Sequence, residues 1–419
     1  MSSNAPSRRE FMATTTAAGI FMIGAARDSA AQERPLRAGL IGCGRRGTGA
    51  AMDLLNADPS CTLIAIADVF EDNMKAAREK LSRQSERTRL NDGTCFHGLD
   101  AYKSVMALDV DIVLLCTPPA FRAQHLRAAV DAGKHVFMEK PAGTDPAQIR
   151  SVIASGELAK QKGLSIVAGT QRRHQVQYLD LVPRLHDGAI GEIVAGEVYW
   201  VGDYGYYPAV RRMDTWSDTE AQLRNWNYFT WLSGDHIVEQ HVHNLDIMNW
   251  ALNAHPVKAF GLGGRQQRTG PEFGHIYDHF SVEFEFANGV RIQSLCRQNA
   301  DTYSRVAERF VGTLGTCDPQ KGITGRNAYA WNGENSNPYV DEHKHLVKSI
   351  RAGIPINEAR QVAESTAAAI MGRMACYTGQ EVTWDFVMNE SKESLIPDPL
   401  AFGVLPPPTV AVPGATPLV

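Results

Sequence analysis

The chain has 419 residues, of which 44% are hydrophobic and 21% charged, and a formal net charge of −4 at pH 7. That balance is the composition of an ordinary globular protein. It supplies no basic field for nucleic acid, and no apolar run reaches the roughly 18–20 residues of a membrane span.

Residues 1–31 read as an export signal rather than as part of the fold. Arg8 and Arg9 stand side by side in "SRREFM", followed by the weakly apolar "ATTTAAGIFMIGAA" and small residues at Ala30 and Ala31. Paired arginines ahead of such a stretch form the twin-arginine pattern, which predicts a periplasmic or otherwise exported protein. The competing reading is a disordered basic terminus or a short amphipathic helix.

From residue 37 to 140, strand and helix signals alternate. "LRAGLIGCG" is an apolar strand ending in glycines, and the helical "TGAAMDLLNAD" follows it. "CTLIAIADV", "VDIVLLCTPP" and "KHVFMEKP" repeat the strand pattern, separated by the amphipathic "DNMKAAREKLSRQ" and "AFRAQHLRAAVDAG". Continuous apolar strands alternating with helices predict a parallel sheet covered on both faces. The predicted units are a dinucleotide-binding domain over 32–155, an α/β domain over 156–385 and a proline-rich arm over 386–419. In the second unit "GEIVAGEVYW", "PVKAFGLGGR" and "HFSVEFEFANGVRIQSLCRQ" read as antiparallel strands. Phe280, Val282, Phe284 and Phe286 alternate with polar residues, and Asn288-Gly289 supplies a hairpin turn. Such a sheet is apolar on one face and open on the other. The arm, "IPDPLAFGVLPPPTVAVPGATPLV", is expected to run extended over a surface, to reach a neighbouring subunit, or to lack order. Seven cysteines without a CxxC spacing read as free thiols, with a bridge from Cys95 as the alternative.

Two motifs carry chemistry. Gly42-x-Gly44-x-x-Gly47 follows a strand and opens a helix, the setting in which glycines let a pyrophosphate approach the backbone at a helix N-terminus. Asp68, about 20 residues further on at the end of the next strand, suits ribose hydroxyls and repels a 2′-phosphate, which favours NAD over NADP. Arg45 and Arg46 in the loop would soften that preference. The second motif is Glu139-Lys140-Pro141, at the carboxyl end of a strand, where open parallel sheets bind ligands. A lysine there can reach a substrate hydroxyl and lower its pKa.

With "GLIGCGRRG", "ADV" (67–69), "CTPP" (116–119), "AGKHVFMEKP" (132–141), "GAIGEI" (188–193) and "SIRAGIPIN" (349–357), the chain resembles the Gfo/Idh/MocA oxidoreductase superfamily of glucose–fructose oxidoreductase and inositol dehydrogenase. The resemblance implies a Rossmann domain followed by an α/β domain with a large open sheet. It also implies nicotinamide-dependent chemistry on a carbohydrate, and a homo-oligomer, dimer or tetramer, assembled through that sheet. Thr117 and Pro118 join the cofactor contacts, with Glu139 and Lys140. Where such chains often carry histidine four residues after the first proline of this turn, this one has Arg122.

The stretch "SGDHIVEQHVHNLDIMNW" (233–250) then reads as the catalytic segment. Glu239, His243 and Asp246 fit the family's acid–x₃–His–x₂–Asp spacing, with glutamate in place of aspartate. On one continuous helix, His236, Glu239, His243 and Asp246 would share a face about 80° wide. His243 and Lys140 would manage the proton of a sugar hydroxyl, with Glu239 supporting them. The rival readings are a metal site made by His236, Glu239 and His243, and a polar helix face without chemistry. Arg172, Arg173, His174 and Tyr178 in "GTQRRHQVQY" are expected to face the cleft. The aromatic residues of "WVGDYGYYPAVRRMDTW" and "RNWNYFTW" suit either sugar stacking or packing. The functional expectation is an oxidoreductase with a tightly bound, internally recycled NAD. A glycoside hydrolase or lyase working through transient oxidation, and a non-catalytic sugar sensor, are the alternatives.

Overall fold

A computed structural model describes residues 34–202 and 208–419. The predicted export signal, and residues 203–207 of the aromatic stretch, lie outside the described residues.

The first sheet has six strands: β1 (Arg37–Ile41), β2 (Thr62–Asp68), β3 (Cys95–His97), β4 (Ile112–Leu115), β5 (His135–Met138) and β6 (Ile166–Ala168), in the order β3-β2-β1-β4-β5-β6. Every pairing is parallel. This is the doubly wound order with its switch point between β1 and β4. β4 is buried at every position and β5 at all but its first, as expected for strands covered on both faces. The covering helices are α1 (Arg45–Ala57), α2 (Glu71–Gln84), α3 (Ala101–Ala107), α4 (Arg122–Asp131) and α5 (Pro146–Gln161). Asp145 caps α5 by accepting from the Gln148 amide at 2.9 Å, with Pro146 at the first helical position, where its missing N–H costs nothing. β6 belongs to this sheet although it lies beyond the boundary expected at 155.

After α6 (Val176–His186), β7 (Ile193–Gly202) enters a nine-stranded sheet. Four short helices follow it: α7 (Asp218–Arg224), α8 (Thr230–Ser233), α9 (His236–Glu239) and α10 (Val242–Leu252). Next come β8 (Pro256–Gly264), β9 (His279–Phe286), β10 (Arg291–Gln298), β11 (Arg305–Gly312), β12 (Gly315–Asp318), β13 (Gly322–Gly325) and β14 (Tyr329–Ala330). Helices α11 (Pro338–Ala352) and α12 (Ala359–Thr378) precede β15 (Val382–Thr383). The sheet order is β14-β13-β12-β11-β7-β10-β9-β8-β15. It is mostly antiparallel, but β7 pairs parallel with β10. β10 and β11 run in opposite directions, so a strand inserted between them must be parallel to one.

Phe280, Val282, Phe284 and Phe286 are all buried, as the alternation predicts. They face α12, whose small residues allow close approach. A Cβ on Gly261 of β8 would lie 2.6 Å from the Cys376 sulfur of that helix. Among the described residues no helix covers the opposite face, which exposes Phe260 and Leu262. All seven cysteines are free, and the Cys95 bridge does not form.

The proline-rich arm is extended and fastened to its own chain. Leu395 donates to Asp145, Thr219 to the Ala401 carbonyl, and Tyr277 to the Ala411 carbonyl.

Candidate active site

One cavity of about 770 Å³ runs from the glycine loop to the junction of α9 and α10. Its walls include Gly42, Gly44, Arg45, Arg46, Gly47, Asp68, Thr117, Pro118, Glu139, Lys140, Glu239 and His243. The catalytic and cofactor residues expected from sequence therefore share one enclosure.

At the loop end, Gly42 adopts φ +98°, a conformation that favours glycine. Gly47 is required by space: a Cβ there would lie 1.8 Å from the Gly42 carbonyl oxygen. Gly44, by contrast, has nothing within 4 Å of where a Cβ would stand, so the backbone is open to a ligand. Asp68 accepts from the Cys43 amide at 2.7 Å and the Phe70 amide at 2.9 Å. Burial pushes its carboxyl pKa up against the pull of those N–H groups. The open loop at a helix N-terminus, with a carboxylate at the neighbouring strand end, fits a dinucleotide.

Arg46 is committed elsewhere. It pairs with Glu139, with Asp53 at 2.9 Å and with Glu342 at 2.8 Å, and its guanidinium sits 4.9 Å from the Tyr339 ring centre. Three carboxylates hold it, so it is not positioned as a free cation for a 2′-phosphate. Gly169 lets Glu139 approach β6: a Cβ there would stand 2.6 Å from the carboxylate.

At the other end, Lys140 Nζ donates to Glu239 Oε1 at 2.9 Å and to the Glu239 backbone carbonyl. An ammonium has three donors, so one remains for a ligand. His243 stacks on Trp200, with ring centres 5.7 Å apart and planes 21° apart. Burial first, and the Lys140 charge second, hold its imidazole well below the usual pKa. It is therefore neutral at pH 7, although the same burial makes it a weaker base than a free imidazole.

The single helix expected over 236–246 is broken. Both the Gln240 and the His241 amides donate to the His236 carbonyl, a widened turn that ends α9 before α10 begins. The four side chains consequently separate. Glu239 and His243 line the cavity, whereas His236 lies buried edge-on to Phe280, its ring nitrogens without hydrogen-bond partners. Asp246 accepts from Arg173 at 2.8 and 2.9 Å and from Ser365 at 2.8 Å, behind the wall. His241 is bonded to Ser294 at 2.7 Å. Among the described residues, no group of three His, Cys, Asp or Glu side chains is placed to hold a metal ion.

The substrate contacts expected at 172–178 also turn inward. Arg172 pairs with Glu308, and the Tyr178 hydroxyl donates to the same carboxylate at 3.0 Å. His174 meets His345 at 2.7 Å. None of the three, nor Asp246, lines the cavity. An arginine or tyrosine in a crossover says nothing of a buried acid some 130 residues away, and Glu308 is what captures both.

Trp200 and Trp226, from the two aromatic stretches, line the cavity, and several lining residues were not singled out from sequence: Phe70, Asn73, His125, Gln171 and Gln240. His125 follows Arg122 by about one helical turn, so the wall still presents a histidine. It stacks with Phe121 and lies 3.3 Å from Thr117 Oγ1. Arg122 instead braces the strand ends through the Leu115 and Thr117 carbonyls. Gln240 is oriented by Gln298, which donates to its side-chain oxygen at 2.6 Å.

A dinucleotide cradle joined to a lysine–histidine centre defines a nicotinamide-dependent oxidoreductase. Residues 36–169 match the family model described as "Oxidoreductase family, NAD-binding Rossmann fold", and 178–318 match the GFO/IDH/MocA C-terminal domain. The chain is 30% identical over 335 residues to a myo-inositol 2-dehydrogenase of Thermotoga maritima, covering 76% of this chain and 90% of that one. A glycosyl hydrolase family 109 protein of Streptomyces coelicolor is 28% identical over 170 residues, 40% of this chain and 34% of its own length. The matched share of a relative's own length thus differs widely, from 34% in the hydrolase-family protein to 90% in the myo-inositol dehydrogenase. The fold superposes on scyllo-inositol dehydrogenase of Lactobacillus casei, solved with NAD(H) and scyllo-inositol. That match has a TM-score of 0.64 at 19% identity and covers 84% of this chain and 99% of the other. The chain belongs to the Gfo/Idh/MocA oxidoreductase family, and its first domain is the family's NAD-binding Rossmann domain.

Proposed function

We propose that the protein oxidises a hydroxyl of a sugar, polyol or glycoside with NAD as its cofactor. The observation that carries this reading is the Lys140–Glu239 pair beside a neutral His243, in the same cavity as the glycine loop and Asp68. Gly42, Gly44 and Gly47 would admit the pyrophosphate and Asp68 the adenosine ribose. When bound, NAD supplies the hydride acceptor. Lys140, with its remaining N–H, holds the reacting hydroxyl oxygen and stabilises developing negative charge. Neutral His243 takes the hydroxyl proton, a role that contributes roughly 10²–10⁴-fold to rate. Glu239 fixes the lysine through two contacts. Relatives named as inositol dehydrogenases support a cyclitol or sugar substrate.

Three further elements belong to the proposal. Arg8-Arg9 motivates export, and an exported enzyme with one resident NAD must return its hydride equivalent to a second substrate or to an intermediate of the first. The similarity to the hydrolase-family protein favours the latter as a second reading, in which oxidation is transient and a glycoside is cleaved. The uncovered sheet face with Phe260 and Leu262 suits a homo-oligomer.

The test is a panel of cyclitols, monosaccharides and glycosides offered to protein freed of loose cofactor, with product and NADH measured together. Stoichiometric NADH marks a dehydrogenase. Many products per bound NAD mark recycling, and solvent deuterium at the carbon beside the oxidised one selects elimination. Retention of full activity by His243→Ala would remove the proposed base.

A further inference from the structure

Asp68 marks the ribose end of the cavity, and the two elements that meet just beyond it come from different domains. Phe70 follows on the same strand end and lines the cavity, and Asp72 stands two residues later in the first turn of α2. From the second domain, Arg224 at the end of α7 reaches back to this point. It pairs with Asp72 at 2.9 Å, and its guanidinium lies 3.9 Å from the Phe70 ring centre. Glu220, one turn earlier, holds it in that direction at 2.9 Å.

The proline-rich arm backs the same contact. Phe402 stands 6.5 Å from Phe70, ring centre to ring centre. Leu395, Ile396, Leu400 and Leu405 pack on the apolar cluster that contains Phe70, Phe121 and Leu223, three residues of the cavity wall. The arm is bonded to α7 itself: Leu405 donates to Asp218 at 3.0 Å, and Gln222 donates to the Leu405 carbonyl at 2.6 Å. It is rooted by Glu393 on buried Arg373 and by the Leu395 amide on Asp145.

We propose that α7 and residues 395–405 form a clasp over the adenosine end of the cofactor cavity, closed by Arg224 on Asp72 and Phe70, which slows release of the dinucleotide. The inference rests on the NAD reading above. An exposed ion pair contributes little by itself, but a cation over an aromatic ring adds to it, and both bridge one domain to the other at the rim. The first domain's Asp72 and the second domain's Arg224 thus pair beside the cavity-wall residue Phe70, so that widening of this rim would part them.

The experiment measures the rate at which bound NAD exchanges with excess isotopically labelled NAD, followed by rapid filtration and mass spectrometry, and uses no turnover. Parent protein is compared with Arg224→Ala, Asp72→Ala, the double variant and Phe402→Ser. Phe402 is 47% exposed, so its loss leaves the core intact. Arg224→Ala is expected to speed release about tenfold, equivalent to about 1.4 kcal/mol. Asp72→Ala and Phe402→Ser should speed it by smaller factors, and the double variant should be no faster than Arg224→Ala. Release within twofold of the parent in Arg224→Ala, with NAD still bound at equilibrium, overturns the clasp and leaves the functional reading standing. A parent protein that binds no nicotinamide dinucleotide overturns both.

Discussion

Lys140→Met separates the structural role of the Lys140–Glu239 pair from its chemical one. The two side chains are 12% and 5% exposed and meet at 2.9 Å. Removing the lysine leaves the Glu239 carboxylate buried without its cation, and its Oε2 has no hydrogen-bond partner even in the parent. Breaking a buried pair in this way costs about 3–5 kcal/mol, a large share of the roughly 5–15 kcal/mol that a folded domain has to lose. Glu239→Gln is milder. The amide oxygen and the backbone carbonyl both still accept from Lys140, so the loss is that of one charge-assisted hydrogen bond, about 1.5–3 kcal/mol. The double variant Lys140→Met/Glu239→Gln removes both charges and should recover at least about 1 kcal/mol relative to Lys140→Met, since no unpaired ion stays behind. Activity should behave differently. Lys140→Met and the double variant should both fall at least about 10²-fold in turnover, because the group that holds the hydroxyl is missing in each. Urea unfolding of cofactor-free protein, followed by far-ultraviolet circular dichroism, gives the first quantity, and turnover on a substrate found in the panel gives the second. If Lys140→Met unfolds within about 0.5 kcal/mol of the parent, or the double variant is no more stable than it, the pair is not energetically coupled as its burial requires.

Two further outcomes follow from the geometry. Asp68→Asn should weaken NAD binding about tenfold and narrow the discrimination against NADP, as read by calorimetric titration of both dinucleotides, because the ribose acceptor loses its charge and the Cys43 and Phe70 amides, which bond to different carboxylate oxygens, are left with one acceptor oxygen between them. Stability should fall as pH drops from about 6.5. Burial chiefly holds His125, His236 and His241 down to about 3 and His275 to about 4, and His243 and His343 well below the ordinary value. These groups stay neutral in the folded chain while the unfolded chain takes up protons below the ordinary imidazole pKa, so stability is lost as pH falls, by about 1.4 kcal/mol per pH unit for each uncompensated histidine. His135 and His345, also lowered by burial, add to the loss, whereas Asp235, Glu342, Asp53, Asp68 and Glu393 run the other way, pushed up by burial, Asp235 to about 7, and offset part of it. Denaturant midpoints that do not change between pH 7 and 5 would contradict this balance.

What the sequence made legible was local, and what it concealed depended on partners distant in the chain. The glycine loop, Asp68 and Lys140 could be read because each sits at a strand end, where direction and periodicity are fixed within a few residues. The three-residue β3 was missed because it is too short to show a period. The break between α9 and α10 was missed for another reason. A 3.6-residue period says where side chains fall if the helix continues, and nothing about whether it does. Asp235 begins α9 at φ +74°, and its carboxylate accepts from the His236 and Tyr277 amides and the Tyr377 hydroxyl. Two of those partners lie 42 and 142 residues downstream. That anchorage fixes where α9 starts, and the widened turn at Gln240 separates it from α10. The turn is what brings Gln240 to the cavity wall and takes Asp246 behind it. The same logic removes Arg172 and Tyr178 from the substrate side: Glu308, fully buried on β11, draws in both along with Asn244 at 2.6 Å, and an uncompensated carboxylate at that depth would be far costlier than the loss of two polar groups from the cleft.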